Sequence, residues 1–255
     1  MGQLQGGVWG RIQTGFVPPS QSRQMRPTYV LHAGRCTSPR GARHTDSCRG
    51  LTRPYRTSMT RTTHRSDNDF SMFVAQIVAA CAVREPPGRM RTRVIAVDGP
   101  GGAGKSSFAE HLAVALGGCQ IVHTDDFASW DNPIDWWPEL IEKVLDPLAR
   151  GEGGQFRRSA WTPEMARELI EVVPAEFMLL EGVTASREAF RPYLTYTIWI
   201  EADRDVRLRR GLERDGEEAR TRWETWIAGE DDYRARERPD VRADLVVSGE
   251  RDLWT

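Results

Sequence analysis

The sequence predicts a three-layer α/β domain, a parallel β-sheet with helices on both faces, and three observations carry that expectation. Short apolar runs alternate with longer helical segments, as in strand–helix–strand units whose strands are covered on both sides. Asp98, Asp125 and Glu181 each follow such a run, at the strand ends where open α/β sheets bind ligands. A glycine-rich segment, Gly99–Ser107, joins the first run to the first long helix.

Each element has its own signal. Met72, Phe73, Ile77, Val78 and Cys81 lie at helical spacing, and Pro86-Pro87-Gly88 stops that helix. Arg93–Val97 reads as the first strand. The next helix runs from Lys105 to about Leu116, with Phe108, Leu112, Val114, Ala115 and Leu116 as its apolar positions and Gly117-Gly118 as its stop. Gln120–His123 is a short second strand ending at Thr124-Asp125-Asp126. A tryptophan-rich stretch leads into a helix near Pro138–Leu148, closed by Gly151, and a further helix is expected around Pro163–Val172. Phe177-Met178-Leu179-Leu180 is apolar enough for a central parallel strand, ended by Glu181-Gly182. Tyr196–Ile200 follows as a strand, then an arginine-rich helix to about Gly229, then a final strand at Ala243–Val247.

The stretch Gly99-Pro100-Gly101-Gly102-Ala103-Gly104-Lys105-Ser106, followed by Ser107, fills every fixed position of G-x-x-x-x-G-K-[ST] between a strand and a helix. That context gives a P-loop NTPase fold. Glycines let such a loop wrap a phosphate closely, and backbone N–H groups with the start of the helix then face the anion. Lys105 is placed to reach the β- and γ-phosphates, and the Ser106 hydroxyl to reach Mg²⁺. Of 35 Lys plus Arg only Lys105 and Lys143 are lysine, so a lysine at the one position needing a compact ammonium is a specific choice.

The 255-residue chain has a formal net charge of −1, which hides an asymmetry. Residues 1–70 hold eleven arginines, no lysine and only Asp46, Asp67 and Asp69 as acids. This arm is expected to be disordered, because it lacks the apolar residues to offset its conformational entropy. Residues 71–255 are expected to form the P-loop domain. The arm reads as a nucleic-acid contact, as a transit peptide, or as a segment upstream of a true start at Met59 or Met72. The last is preferred, and nucleic acid is not an expected partner. His32, Cys36, His44 and Cys48 repeat a ligand-like spacing without apolar surroundings, so zinc is not expected there. Four scattered cysteines, no bilayer-length apolar run and no signal pattern suggest a cytoplasmic protein.

Three further groups bear on the chemistry. Glu181 is placed to hold Mg²⁺ directly or through water. Asp125 and Asp126 end the second strand, and one of them faces the site, where a carboxylate could accept the proton of an attacking hydroxyl. Arg207, Arg210 and Arg214 share a helical face, and their guanidinium groups could close over a transferring phosphoryl group. Trp130, Trp136, Trp137 and Trp161 flank the acceptor region, where they pack or stack on a planar substrate.

Taken in order, VDGPGGAGKS, TDDF at Thr124–Phe127, LLEG at Leu179–Gly182 and RLRRGLERD at Arg207–Asp215 resemble uridine kinases and their relatives among the P-loop kinases. The resemblance spans about Arg93 to Gly249. It implies ATP and Mg²⁺ as cofactors, Asp125 as catalytic aspartate, Glu181 as the Mg²⁺-associated acid, and Arg210 and Arg214 as arginines of a mobile lid. Two departures fall in the nucleoside-binding part. Ser159-Ala160 stands where the family carries Tyr-Asp, and Ala128 stands where it carries the tyrosine after D-x-F.

The expected function is therefore an ATP-dependent small-molecule kinase, transferring the γ-phosphate to a hydroxyl of a nucleoside-like acceptor. The alternative is a P-loop ATPase without a small-molecule acceptor. A GTPase is disfavoured, because the second lysine, Lys143, sits in Glu-Lys-Val rather than in N-K-x-D.

Overall fold

The computed structural model describes residues 67–129, 136–159 and 168–250. Residues 1–66 of the arginine-rich arm, with the His32–Cys48 pattern, lie outside the described residues, as do Trp130 and Trp161.

Five parallel strands form the central sheet: β1 (Arg93–Asp98), β2 (Gln120–His123), β5 (Phe177–Glu181), β6 (Leu194–Glu201) and β7 (Leu245–Ser248), in the order β2-β5-β1-β6-β7. β3 (Gly154–Arg157) and β4 (Leu169–Val172) pair antiparallel as a separate ribbon. The parallel register sets the site. Glu181 lies beside both Val97 and His123, so β1, β5 and β2 end at one level.

Alternation along β1 divides the core between two faces. Ile95 and Val97 pack with Phe108 and Leu112 of α2 (Lys105–Ala115) and with Val74, Ile77 and Cys81 of α1 (Asp67–Ala82). Val94 and Ala96 face the opposite layer, with Leu140, Val144, Leu145 and Leu148. That layer starts as α3 (Trp137–Leu140), widens into a π-turn at Ile141–Leu145 and continues as α4 (Asp146–Ala149). Pro147, which lacks an N–H to donate back along the helix, is the second residue past the π-turn.

Four sequence expectations are corrected. Leu169–Val172, expected in a helix, is strand β4: Ile170 and Val172 turn inward while Leu169 and Glu171 face out, a period of two that β-branched residues favour. Its partner β3 was not anticipated. The arginine-rich segment is two helices, α5 (Arg204–Asp215) and α6 (Arg220–Glu237), because Gly216 at φ 87° breaks it. Met72 and Val114, counted among the apolar positions of their helices, are exposed. The last strand begins at Leu245, since the Asp244 side chain accepts from the Thr197 N–H and hydroxyl at the edge of β6.

Candidate active site

The glycine-rich loop leaves β1 through Asp98, whose carboxylate is fully engaged in the fold. Oδ1 accepts from the N–H groups of Gly99 (2.7 Å) and Thr184 (3.0 Å). Oδ2 accepts from the Ser186 N–H (2.9 Å), the Ser186 hydroxyl (2.6 Å) and the Tyr233 hydroxyl (2.7 Å). Burial pushes this carboxyl up, against those donors. Asp98 was grouped with Asp125 and Glu181 from the sequence. In the structure it is an anchor and does not line the cavity beside the loop.

That cavity, about 280 Å³, is lined by Gly101, Gly102, Gly104, Lys105, Ser106 and Ser107, with Asp125 and Glu181. Other members of the predicted loop hold it in place. Ala103 is fully buried in the core. Gly99 has no room for a side chain, because a Cβ would lie 2.1 Å from the Ile200 carbonyl oxygen; it borders a smaller recess together with Pro100. Lys105 Nζ donates to the Pro100 carbonyl at 2.9 Å.

Glu181, at the end of β5, accepts from the Ser106 hydroxyl at 3.1 Å and lies 2.6 Å from His123 Nδ1. Burial alone would push its carboxyl up, but the His123 hydrogen bond and charge, Lys105 and Ser106 hold it below the ordinary value. Burial would lower the His123 ring, and Glu181, Asp126 and Asp125 together raise it. Asp125 titrates at about 6, raised first by burial and then by the Glu181 charge, against Lys105 and His123.

Only one of the adjacent aspartates faces the cavity. Asp125 lines it, while Asp126 turns into the fold and pairs with Arg158 at 2.7 Å. Ser159, at the departure from the uridine kinase pattern, is spent on backbone. Its N–H donates to Asp126 O (2.6 Å) and its hydroxyl to Phe127 O (3.0 Å).

The arginines divide by role. Arg210 and Arg214 line the cavity. Arg210 Nη1 donates to the carbonyls of Gly249 (2.6 Å) and Gly102 (3.3 Å), bracing the loop. Arg214 makes a two-point pair with Asp215 and lies over the Trp223 ring at 5.4 Å. Arg207, expected on the same face, is buried and pairs with Glu230 at 3.0 Å. Glu230 in turn accepts from the Trp226 ring N–H (2.6 Å) and from the Gly101 N–H (2.7 Å).

A second cavity, about 370 Å³, adjoins the first. Its walls include Ala128, Trp136, Thr184, Thr221, Thr225 and Tyr233, and it shares Asp125, Val183, Arg222 and Trp226 with the cavity beside the glycine-rich loop. Thr184 stands at φ 68°, a conformation that costs a β-branched residue of order 1–3 kcal/mol. Sequence reasoning missed Arg222, Trp226 and Glu230. Their four-residue spacing on one face of α6 was the available signal.

The residues fit a nucleotide phosphate with a hard cation. Gly102 and Gly104 take φ 75° and 90°, and a Cβ on Gly102 would lie 2.7 Å from the Arg207 carbonyl oxygen. The Ser106 hydroxyl and Glu181 carboxylate are oxygen donors of the kind Mg²⁺ takes, usually alongside waters and substrate phosphates.

Solved structures share the fold. A possible uridine kinase from Bacillus stearothermophilus superposes with a TM-score of 0.53 at 16% identity, covering 70% of this chain and 99% of that one. A candidate fructose transport system kinase from Silicibacter sp. TM1040 gives 0.55 at 19%, covering 68% and 98%. No family model and no curated protein matches the sequence. What the chain shares with both is the fold, a parallel five-stranded sheet with helices on its two faces. Among the described residues no helix is long and apolar enough to cross a membrane.

Proposed function

We propose that the protein is an ATP- and Mg²⁺-dependent small-molecule kinase, transferring the γ-phosphoryl group to a hydroxyl of a nucleoside-like acceptor. One observation carries the reading: Asp125 lines both the phosphate-loop cavity and the adjoining one. A carboxylate at that junction can serve an acceptor in one cavity and the phosphoryl donor in the other.

The loop N–H groups and Lys105 bind the donor phosphates, and Arg210 and Arg214 border the same space. Ser106 and Glu181 would hold Mg²⁺, which neutralises charge on the phosphates when bound. His123 keeps Glu181 oriented from behind. As the acceptor oxygen bonds to the γ-phosphorus and the bond to the β-phosphate oxygen breaks, ADP leaves and Asp125 takes the hydroxyl proton. A base titrating at about 6 is ionised at neutral pH yet basic enough to accept that proton. Trp136 and Trp226 give the second cavity aromatic walls suited to a planar acceptor body.

The test incubates the full chain with ATP, Mg²⁺ and a panel of nucleosides, nucleotides, ketohexoses and other small alcohols, following ADP release. Release that depends on one acceptor class and stops with EDTA supports the reading. Release independent of every acceptor overturns it in favour of an ATPase without a small-molecule acceptor.

A further inference from the structure

We infer that Thr184 is a specificity-determining residue for the acceptor, held in a costly backbone conformation so that its side chain forms part of the Asp125 cavity. The inference rests on the kinase reading and deepens it.

Among the described residues only Thr184 and Arg238 combine a side chain with positive φ. Arg238 ends α6 as a left-handed cap, an ordinary use of that conformation. Thr184 is β-branched and ends no helix, and glycine or asparagine would adopt the same backbone with less strain. Its surroundings fix the turn from every side. The Thr184 N–H donates to Asp98, and its carbonyl accepts from the Arg187 N–H at 3.1 Å. The Gly182 N–H donates to Val97 O at 3.1 Å, and the Thr124 hydroxyl donates to Val183 O at 3.2 Å. Asp98 thus ties the turn to the strand that carries the phosphate loop, and Tyr233 ties it to α6.

Thr184, so clamped, lines the cavity together with Thr221 and Thr225. The Thr225 hydroxyl is used within its own helix, donating to Thr221 O at 2.9 Å. A threonine hydroxyl offers one donor and two acceptor positions and no charge. The acceptor it selects carries a second neutral polar group, a hydroxyl or a carbonyl, besides the hydroxyl that is phosphorylated.

Each acceptor that the wild type phosphorylates is titrated against three variants. Thr184→Val keeps the shape and removes the hydroxyl, and it should raise the acceptor KM about tenfold while leaving the ATP KM within about twofold. Thr184→Ser restores the hydroxyl and should return the acceptor KM to within about twofold of wild type. Thr184→Gly relaxes the backbone; its melting temperature should not fall below wild type, while its acceptor KM rises as in the valine variant. An unchanged acceptor KM in Thr184→Val overturns the inference alone, as does a clear loss of melting temperature in Thr184→Gly. If the wild type phosphorylates no acceptor, the kinase reading falls and this inference with it.

Discussion

Glu230 and Gly101 meet through a hydrogen bond from the loop's backbone N–H to a buried carboxylate of α6, at 2.7 Å. The same carboxylate pairs with Arg207 and accepts from Trp226. Glu230→Ala removes three contacts at once and leaves Arg207 buried without its partner. Its unfolding free energy should drop by about 3–5 kcal/mol. Glu230→Gln, which keeps an oxygen for Gly101, should lose less, and urea denaturation of the two variants checks the order.

Lys105→Ala should weaken ATP binding by about two orders of magnitude, matching a charge-assisted contact of roughly 1.5–3 kcal/mol. The fold should be unaffected. Calorimetric titration with ATP, beside a far-ultraviolet spectrum, measures both; unaltered affinity would remove the phosphate-loop assignment.

Asp125→Asn should leave ATP affinity within about twofold and slow transfer to the acceptor by roughly 10²–10⁴. Single-turnover transfer from labelled ATP reads the chemical step directly. Full transfer in this variant would exclude Asp125 as the base.

The same substitution has a stability signature with a definite sign. The Asp125 carboxyl is raised from 3.8 to about 6 by burial and by Glu181, so the folded state holds its proton more tightly than the unfolded chain. The favourable contribution is present below pH 4 and is lost as pH rises through about 6. At pH 8 Asp125→Asn should therefore exceed the wild type by on the order of 2–3 kcal/mol, and the two should converge near pH 4. Chemical denaturation at both pH values tests it, and a variant less stable at pH 8 would contradict it.

Gly211→Ala should destabilise, although alanine suits a helix interior better than glycine by about 1 kcal/mol. A Cβ at this position would lie 2.3 Å from Trp223 Cε2. Moving that indole out of the cavity wall should cost about 1–3 kcal/mol and shift the tryptophan emission, both visible in one thermal scan.

The residues of the proposed donor side, which the structure gathers around one cavity, were legible because they are local in sequence. Gly99–Ser107 and the acids at the ends of β2 and β5 need only the strand ends to be recognised. Asp98 was misread, since a strand-end carboxylate looks the same whether it serves a ligand or the backbone; only the Ser186, Tyr233 and Thr184 contacts decide. The contacts made by α6 were missed because Glu230 meets Gly101 across 129 positions, and no local pattern encodes such a pairing. The β3–β4 ribbon escaped for a similar reason, as its short strands satisfy each other rather than the main sheet.

Trp226 and Arg222 belong to both cavities, one partition between two rooms. A change that reshapes the partition on one side also alters the cavity on the other. On the proposed kinase reading, acceptor preference can drift with least effect on the donor side at residues that line the second cavity alone, among them Trp136, Ala128, Thr184, Thr221 and Thr225. Divergence among its relatives should concentrate there.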